Sequence, residues 1–538
     1  MEAVSQLDRD ASTALATIRE WRNSFVHVNH IPADVLSLIP THLPTQKDRF
    51  RAASVGRHWR GVLLRDGALW SQLFLKKGEE CVSTLLERAK GSALEVITDC
   101  DAPVGTTALI APRAQQIVYL EFMQNHWQDI ITFSEFNSGQ LPLLHTLKIA
   151  ALETPVSLVD VTPPSLPFFR GSINLEEFVL RSWRLSLLSH FVFPNLTTFK
   201  LLSNPGETCT ALGLLNFLEA SPMLGTIEIY ILEVVMASVP EELVVTLPNV
   251  KSLSLQISTG TVPLVYDLAA HISCPHARCI YLTHDMYDEE MSAGLELFPT
   301  FVSWNTIIHQ YTASPIKEVT LKVKRSEGVN IECFLTFRSS DAIVVRLGLI
   351  VGETSIDDDD LNMSLAEIGW VIFSQALKTI SNHPLLSHVK HLHIKYKTAM
   401  SNTRKMPQMA NKFRELFVAL GPLDELILHG CDLHLFLANF LDNLGLGHLV
   451  EPVAFPQIKE LIILHPSMEV DEVECMNAIV ELAKSQHALG IPFESVTVHT
   501  WKLPTGMAEE LERWVDEVDC CGWCRDEEEE EEEGEEDA

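Results

Sequence analysis

Apolar residues follow two different periods along this chain, and the change from one to the other near residue 90 divides it. From Val4 to Phe25, Leu7, Ala11, Leu15, Ile18 and Trp21 recur at three-to-four spacing with charges between them, the period of an amphipathic helix. Residues 1–29 are therefore read as a leading helical segment. A second helical stripe follows in Val35, Leu36, Ile39 and Leu43, with Pro32 in the first turn, where its missing N–H costs little. Pro40 lies too deep for that tolerance and predicts an early stop. "TQKDRFRAAS" and "VGRHWRGVLLRDGALWSQLFL" continue the helical spacing through Val55, Trp59 and Val62 to Leu69, Trp70, Leu73 and Phe74. The expectation over residues 30–77 is a small domain of three short helices.

Beyond residue 90 a pattern of the form L-x-x-L-x-L recurs, with other aliphatics or Phe allowed at the apolar positions. It reads "PLLHTLKI", "INLEEFVL", "PNLTTFKL", "PMLGTIEI", "PNVKSLSL" and "PHARCIYL", then "PIKEVTL", "HVKHLHI", "PLDELIL", "PQIKELII" and "PFESVTV"; "PRAQQIVYL" is an early copy. The middle apolar residues are Leu147, Phe178, Phe199, Ile227, Leu253, Ile280, Val319, Leu392, Leu426, Leu461 and Val496, spaced by 21 to 73 residues. Unequal gaps suit a solenoid in which one strand per unit is followed by a variable connection, each unit burying its apolar edge on its neighbours. Proline before most strands blocks continuation of a helix and sets an extended entry. The fold class expected is α/β, a small all-α domain followed over residues 78–519 by an irregular leucine-rich-repeat solenoid, or horseshoe, with one parallel strand per repeat.

The longest gap holds an insertion near residues 325–385: "IECFLTFRSSDAIVVRLGLI" gives two β-like runs, and "DDDD" and a helical "LAEIGWVIFSQAL" follow. An insertion and two degenerate repeats are both open readings. A last helix in "MAEELERWVDEV" caps the array, and residues 520–538 form a cysteine cluster and an acidic tail expected to be disordered.

Because side chains alternate along a strand, the variable residue of each L-x-L triplet faces away from the core. Lys148, Lys200, Glu228, Tyr281, His393, Ile427 and Ile462 are the candidate substrate-binding residues on this concave face, with Val179, Ser254, Thr320 and Thr497 between and beside them.

Charge narrows the class of partner. The 538 residues carry a net charge of −32; residues 526–538 hold 11 acids and no base, so the rest carries −21. Such a balance disfavours nucleic acid, whose binding is dominated by phosphate attraction, and favours protein partners. No apolar run approaches the roughly 18 residues of a membrane helix. The N-terminus lacks the pattern of a signal or transit peptide, so no membrane association and a cytoplasmic or nuclear location are expected. Eleven cysteines without framework spacing are read as reduced thiols.

Catalytic and metal chemistry finds little support. "CGWC", Cys521–Cys524, has redox-pair spacing, but follows a helix and abuts an acidic run that would raise thiol pKa values. Zinc on Cys520, Cys521 and Cys524 lacks a fourth ligand, and Cys274, His276, Cys279 and His284 match no finger spacing. His391 and His393 share a strand face but are only two ligands, and the "DDDD" run lacks the glycine and distal glutamate of an EF-hand. No phosphate loop, dinucleotide fingerprint, nucleophile elbow or H-E-x-x-H is present. No enzyme activity, cofactor or metal is expected.

Ile31–Trp70 resembles an F-box. "IPADVL" is similar to that family's opening Leu-Pro-x-Glu-Val-Leu, "LPTQKD" fits the first interhelical turn, and "VGRHWR" with "LW" resembles the closing Val-Cys-Arg-x-Trp-Arg and Leu-Trp. Ile31, Asp34, Gly56 and Pro40 depart from the pattern. "REWRNSFVHVNHIPADVL" resembles the lead-in of a basidiomycete fungal F-box family with repeat-rich C-terminal regions. The resemblance implies a substrate adaptor of cullin-RING (SCF-type) ubiquitin ligases, its F-box on the Skp-type adaptor and its repeats on a protein substrate. Pro32, Val35, Leu36, Ile39, Leu43, Val55, Trp59, Leu69 and Trp70 are the adaptor-binding candidates, since three short helices cannot bury so much apolar surface alone. Packing on the leading helix or first repeat is the competing account of that surface. The alternative function is a stand-alone repeat scaffold whose F-box has degenerated, with Pro40 as the mark of decay.

Overall fold

In the computed structural model, residues 2–24, 31–43, 45–99, 102–125, 141–151, 174–181, 188, 191–203, 208–231, 233–236, 239–240, 242–258, 264–286, 307, 310, 315–325, 331–339, 343–351, 376, 387–397, 420–430, 457–464, 472–499 and 506–519 are described. They fall in two compact units, Met1–Asn204 and Pro205–Ala538.

The first unit opens with α1, Glu2–Ser24, as its 3.6-residue period predicts. Four short helical pieces follow: α2 (Ala33–Leu38) running into a 3-10 turn (Ile39–His42), α3 (Gln46–Ser54), α4 (Arg57–Leu63) and a 3-10 turn at Gly67–Trp70. The helical spacing read through Leu73 and Phe74 gives way to a strand, β1 (Gln72–Phe74), so the sheet begins inside the segment expected to be wholly helical. After α5 (Glu79–Ala89) come β2 (Leu94–Asp99), α6 (Val104–Ile110), β3 (Ile117–Asn125), β4 (Thr146–Ala151), β5 (Glu177–Arg181) and β6 (Thr198–Leu202).

Every neighbouring pair from β1 to β6 is parallel and sequential. Leu120, Leu147, Phe178 and Phe199 stand opposite one another in one column, and Phe122, Ile149, Leu180 and Leu201 in the next, each at most 1% exposed. The Phe178 ring meets Phe193 edge to face at 5.3 Å and stacks on Phe199 at 5.9 Å, which adds aromatic contact to simple burial.

The second unit holds β7 (Thr208–Thr210), α7 (Ala211–Glu219), β8 (Thr226–Ile231), β9 (Glu233–Val235), β10 (Val245–Thr246), β11 (Ser252–Ser258), α8 (Leu264–Ala270), β12 (Ile272–Ser273) and β13 (Cys279–Met286). Then come β14 (Ile316–Arg325), β15 (Ile331–Ser339), β16 (Val344–Val351), β17 (His391–Lys397), β18 (Leu423–His429), β19 (Ile458–Leu464), α9 (Glu472–Ala488), β20 (Ser495–His499), α10 (Met507–Leu511) and β21 (Glu517–Asp519). The strands of its large sheet lie in the order β8-β11-β13-β16-β15-β14-β17-β18-β19-β20-β21. All of these pairings are parallel except those of β15, which runs antiparallel to both neighbours.

This corrects the expectation of one parallel strand per repeat throughout. The segment "IECFLTFRSSDAIVVRLGLI" completes a three-stranded meander with β14, laid into the parallel ladder in reverse order. The runs alternate apolar and polar residues, and Phe337 and Val345 extend the column that joins Ile280 to Val319. The "DDDD" run and, save for Ala376, the "LAEIGWVIFSQAL" segment lie outside the described residues.

The column itself runs Ile227, Leu253, Ile280, Val345, Phe337, Val319, Leu392, Leu426, Leu461 and Val496, none more than 2% exposed. Asparagines at strand entries tie one strand entry to the preceding one within each unit: Asn174 Nδ2 donates to the Pro142 carbonyl at 2.6 Å and Asn249 Nδ2 to the Pro222 carbonyl at 3.0 Å. The expected terminal helix is also corrected: α10 stops at Leu511, and Glu517–Asp519 pairs with β20, because Val518 continues the column from Val496. The chain is thus mixed α/β, with N-terminal helices followed by parallel strands in the first unit and a predominantly parallel sheet in the second. Truncating Phe178 to Ala should cost about 3–5 kcal/mol in denaturant unfolding, the cost of a buried aromatic lost from a packed column.

Candidate functional site

The segment around Pro40 shows how a proline is absorbed. With no N–H to give the carbonyl four residues back, Pro40 cannot extend α2, and the chain tightens into the 3-10 turn at Ile39–His42. Pro32 precedes α2, and its carbonyl accepts from the Leu36 N–H at 2.9 Å. The next helix is fixed by "TQKD": Thr45 Oγ1 accepts from the Asp48 N–H at 3.2 Å and donates to Asp48 Oδ2 at 2.6 Å, a reciprocal cap. That hydroxyl, then the Arg51 guanidinium at 3.0 Å, holds the Asp48 carboxyl below its ordinary value. His58 Nε2 lies 3.4 Å from the Ile31 carbonyl, tying α4 to the entry of α2.

The structure divides the nine adaptor-binding candidates. Leu36, Trp59, Leu69 and Trp70 are buried in the chain itself, at 0%, 7%, 2% and 1% exposed. Trp70 Nε1 donates to the Leu63 carbonyl at 2.8 Å, its ring sits 5.2 Å from Phe50, and the Arg88 guanidinium of α5 lies over it at 5.1 Å. These four therefore hold the helices together and onto the start of the sheet. Pro32, Val35 and Val55 are exposed, and Ile39 and Leu43 half-buried. Two exposed apolar residues escaped the sequence reading, Leu38 and Phe50. The i, i+3 spacing puts Val35 and Leu38 on one face of α2, the signal that could have found it.

The second candidate surface is the sheet face carrying the L-x-L variable residues. In the first unit Lys148, Val179 and Lys200 align, with Val179 buried and Lys148 Nζ over the Tyr119 ring at 5.4 Å. In the second unit one row runs Glu228, Ser254, Tyr281, Arg346, Thr336, Thr320, His393, Ile427, Ile462 and Thr497. The candidates Glu228, Tyr281, His393, Ile427 and Ile462 thus share one face. The His393 ring stacks on His429 with centroids 6.4 Å apart, and burial, with Lys395 and Lys322 beside it, pulls its pKa down to about 4. His391 Nδ1 lies 3.5 Å from Glu425 Oε2.

Arg346, Lys322 and Lys395 were missed. For the two lysines the signal was their alternation with apolar neighbours, Lys322 between Leu321 and Val323 and Lys395 after Ile394.

Cys274 is buried and its thiol is pushed up to about 12 by that burial; buried His284 is pulled down to about 4 for the same reason. Among the described residues no group of three or more His, Cys, Asp or Glu side chains could hold a metal ion, and no helix is long and apolar enough to cross a membrane. Cys520, Cys521, Cys524 and the acidic tail lie outside the described residues.

Compared with known families, residues 28–76 match the F-box-like family. The match contains α2, α3, α4 and β1. No curated protein matches the chain. An F-box-like domain is therefore present at the N-terminal end, and domains of this kind in general serve SCF-type adaptor roles with a Skp-type partner.

Because the folded pKa of Asp48 is depressed, its contribution to stability is complete above the ordinary value of 3.8 and is lost as pH falls below it through the folded pKa. Thr45→Ala should lower the melting temperature at neutral pH, and the gap between variant and wild type should shrink on acidification below 3.8, read by thermal unfolding across pH.

Proposed function

We propose that this chain is the substrate receptor of a cullin-RING (SCF-type) ubiquitin ligase. The observation that carries the reading is the F-box-like match over residues 28–76, whose first helix keeps Val35 and Leu38 in solvent at 46% and 60% exposure. Two large apolar residues on one exposed helix face suit a partner helix better than water. Direct contact with the Skp-type adaptor then falls to Pro32, Val35, Leu38 and Val55, while Leu36, Trp59, Leu69 and Trp70 hold that edge in shape.

The role is non-catalytic, exerted in the cytoplasm or nucleus. The sheet is read as an irregular leucine-rich-repeat array, supported by the L-x-L columns and the asparagine link between successive strand entries. Its outward row presents a protein substrate to a ubiquitin-charged enzyme, so the gain is proximity.

The test is co-purification of the full chain with a Skp-type adaptor. Wild type should bind; Val35→Asp with Leu38→Asp should bind at least about tenfold more weakly, with an unchanged melting temperature. Leu36→Ala should instead lower stability by about 2–5 kcal/mol. An adaptor that ignores the wild-type chain would end this reading.

A further inference from the structure

The leading helix α1 is the longest among the described residues, and every described side chain on it is exposed. Leu7, Leu15 and Ile18 stand 74%, 54% and 60% in solvent. Helices in proteins draw most of their stability from packing an apolar face, and α1 buries no described side chain. Its polar groups are served along the helix itself: Gln6 Nε2 donates to Asp10 Oδ1 at 3.0 Å, Thr13 Oγ1 to the Arg9 carbonyl at 2.8 Å and Thr17 Oγ1 to the Thr13 carbonyl at 3.0 Å. The apolar stripe is what is left over.

That stripe has a stricter period than a helix lying on a sheet requires. From Val4 through Leu7, Ala11, Ala14 and Ile18 to Trp21 the gaps are 3, 4, 3, 4 and 3 residues. A seven-residue repeat of this kind, kept over three heptads, holds one seam toward a like helix as the two supercoil. Charge is divided along the same helix. Residues 2–13 carry Glu2, Asp8 and Asp10 against Arg9, net −2, and residues 14–24 carry Arg19 and Arg22 against Glu20, net +1. The helix therefore sums to −1 in a chain of −32, which makes it a segment where two copies meet with little of the repulsion that the rest of the chain exerts.

We infer that α1 is a self-association element, pairing with α1 of a second copy of this chain in the antiparallel sense. Laid antiparallel, the acidic half of each helix meets the basic half of the other and the helix dipoles oppose; a parallel pair would set like charge on like. Side-chain size chooses the same arrangement. Reversal about position 16 sets Ile18 of one copy on Ala14 of the other, large on small, and the two-fold symmetry of the pair repeats that contact. In a parallel pair Ala11 and Ala14 would face their own mates, and the middle of the seam would be thin. Leu15 flanks the seam and widens its apolar surface. The inference stands apart from the adaptor reading, whose contact residues Val35 and Leu38 lie on α2.

The test is sedimentation equilibrium of the full chain from about 1 to about 100 μM, where a reversible dimer should form. Leu15→Glu with Ile18→Glu should weaken it at least about tenfold, Arg19→Glu with Arg22→Glu several-fold and more so at low salt, and Val35→Asp with Leu38→Asp not at all; circular dichroism checks that each variant folds. Under mild oxidation Ala14→Cys mixed with Ile18→Cys should give a linked pair that wild type does not. Leu7→Cys should not link to itself, because the reversed arrangement holds those two positions about 18 residues of helix, or about 27 Å, apart. A chain that stays monomeric at the highest concentration overturns the inference, as does a dimer indifferent to the Leu15 and Ile18 changes or a Leu7→Cys chain that links to itself. If the chain is monomeric and those α1 changes instead abolish capture of a Skp-type adaptor, the adaptor is the occupant: the inference fails while the receptor reading stands.

Discussion

The lateral hydrogen-bonding register of the strands governs everything else in this molecule. Each strand satisfies its backbone groups only by lying against the next, and a slip of one residue would turn every apolar side chain out of the core. The columns headed by Leu120 and Ile227 are the result, since in-register pairing converts a loose sequence motif into continuous apolar ribs. The same register fixes the opposite face without separate design. Once Leu392 and Ile394 are inside, His393 and Lys395 must be outside, beside Lys322.

The N-terminal helices solve a different problem with the same economy. Six- to nine-residue helices cannot stand alone, so Leu36, Trp59, Leu69 and Trp70 are drawn inward, and Trp70 is clasped by Phe50 and Arg88. What remains outside is a narrow edge built on Val35 and Leu38. Pro40 then reads as a device that shapes that edge, shortening α2 and turning the chain toward Thr45.

Much of this was legible in the sequence, because period-two alternation and proline-marked entries are local signals. All eleven middle apolar residues fall on strands, and most of the helical stripe before residue 70 forms helices, Leu43 and Val55 falling just beyond their ends. Three things were not legible for physical reasons. Strand order around β15 depends on pairing between distant segments, which alternation alone does not encode. Whether Trp59 and Trp70 face a partner or a neighbour depends on what else packs nearby, and composition is silent on that. A strand of three residues, β1 or β21, carries too few alternations to stand out from the helical spacing around it.

The reversed meander has a geometric meaning of its own. β16 lies parallel to β13 and β14 parallel to β17, so both seams repeat the pairing found elsewhere in the ladder, and Val319 stays in the column that Ile280 occupies. Within the meander the column keeps its phase, so that the strands before and after it stay in register. At about 4.8 Å per strand, a hairpin set into a seam of this kind occupies about 10 Å of the outward ledge while both outer strands of the meander pair in the parallel sense of the ladder.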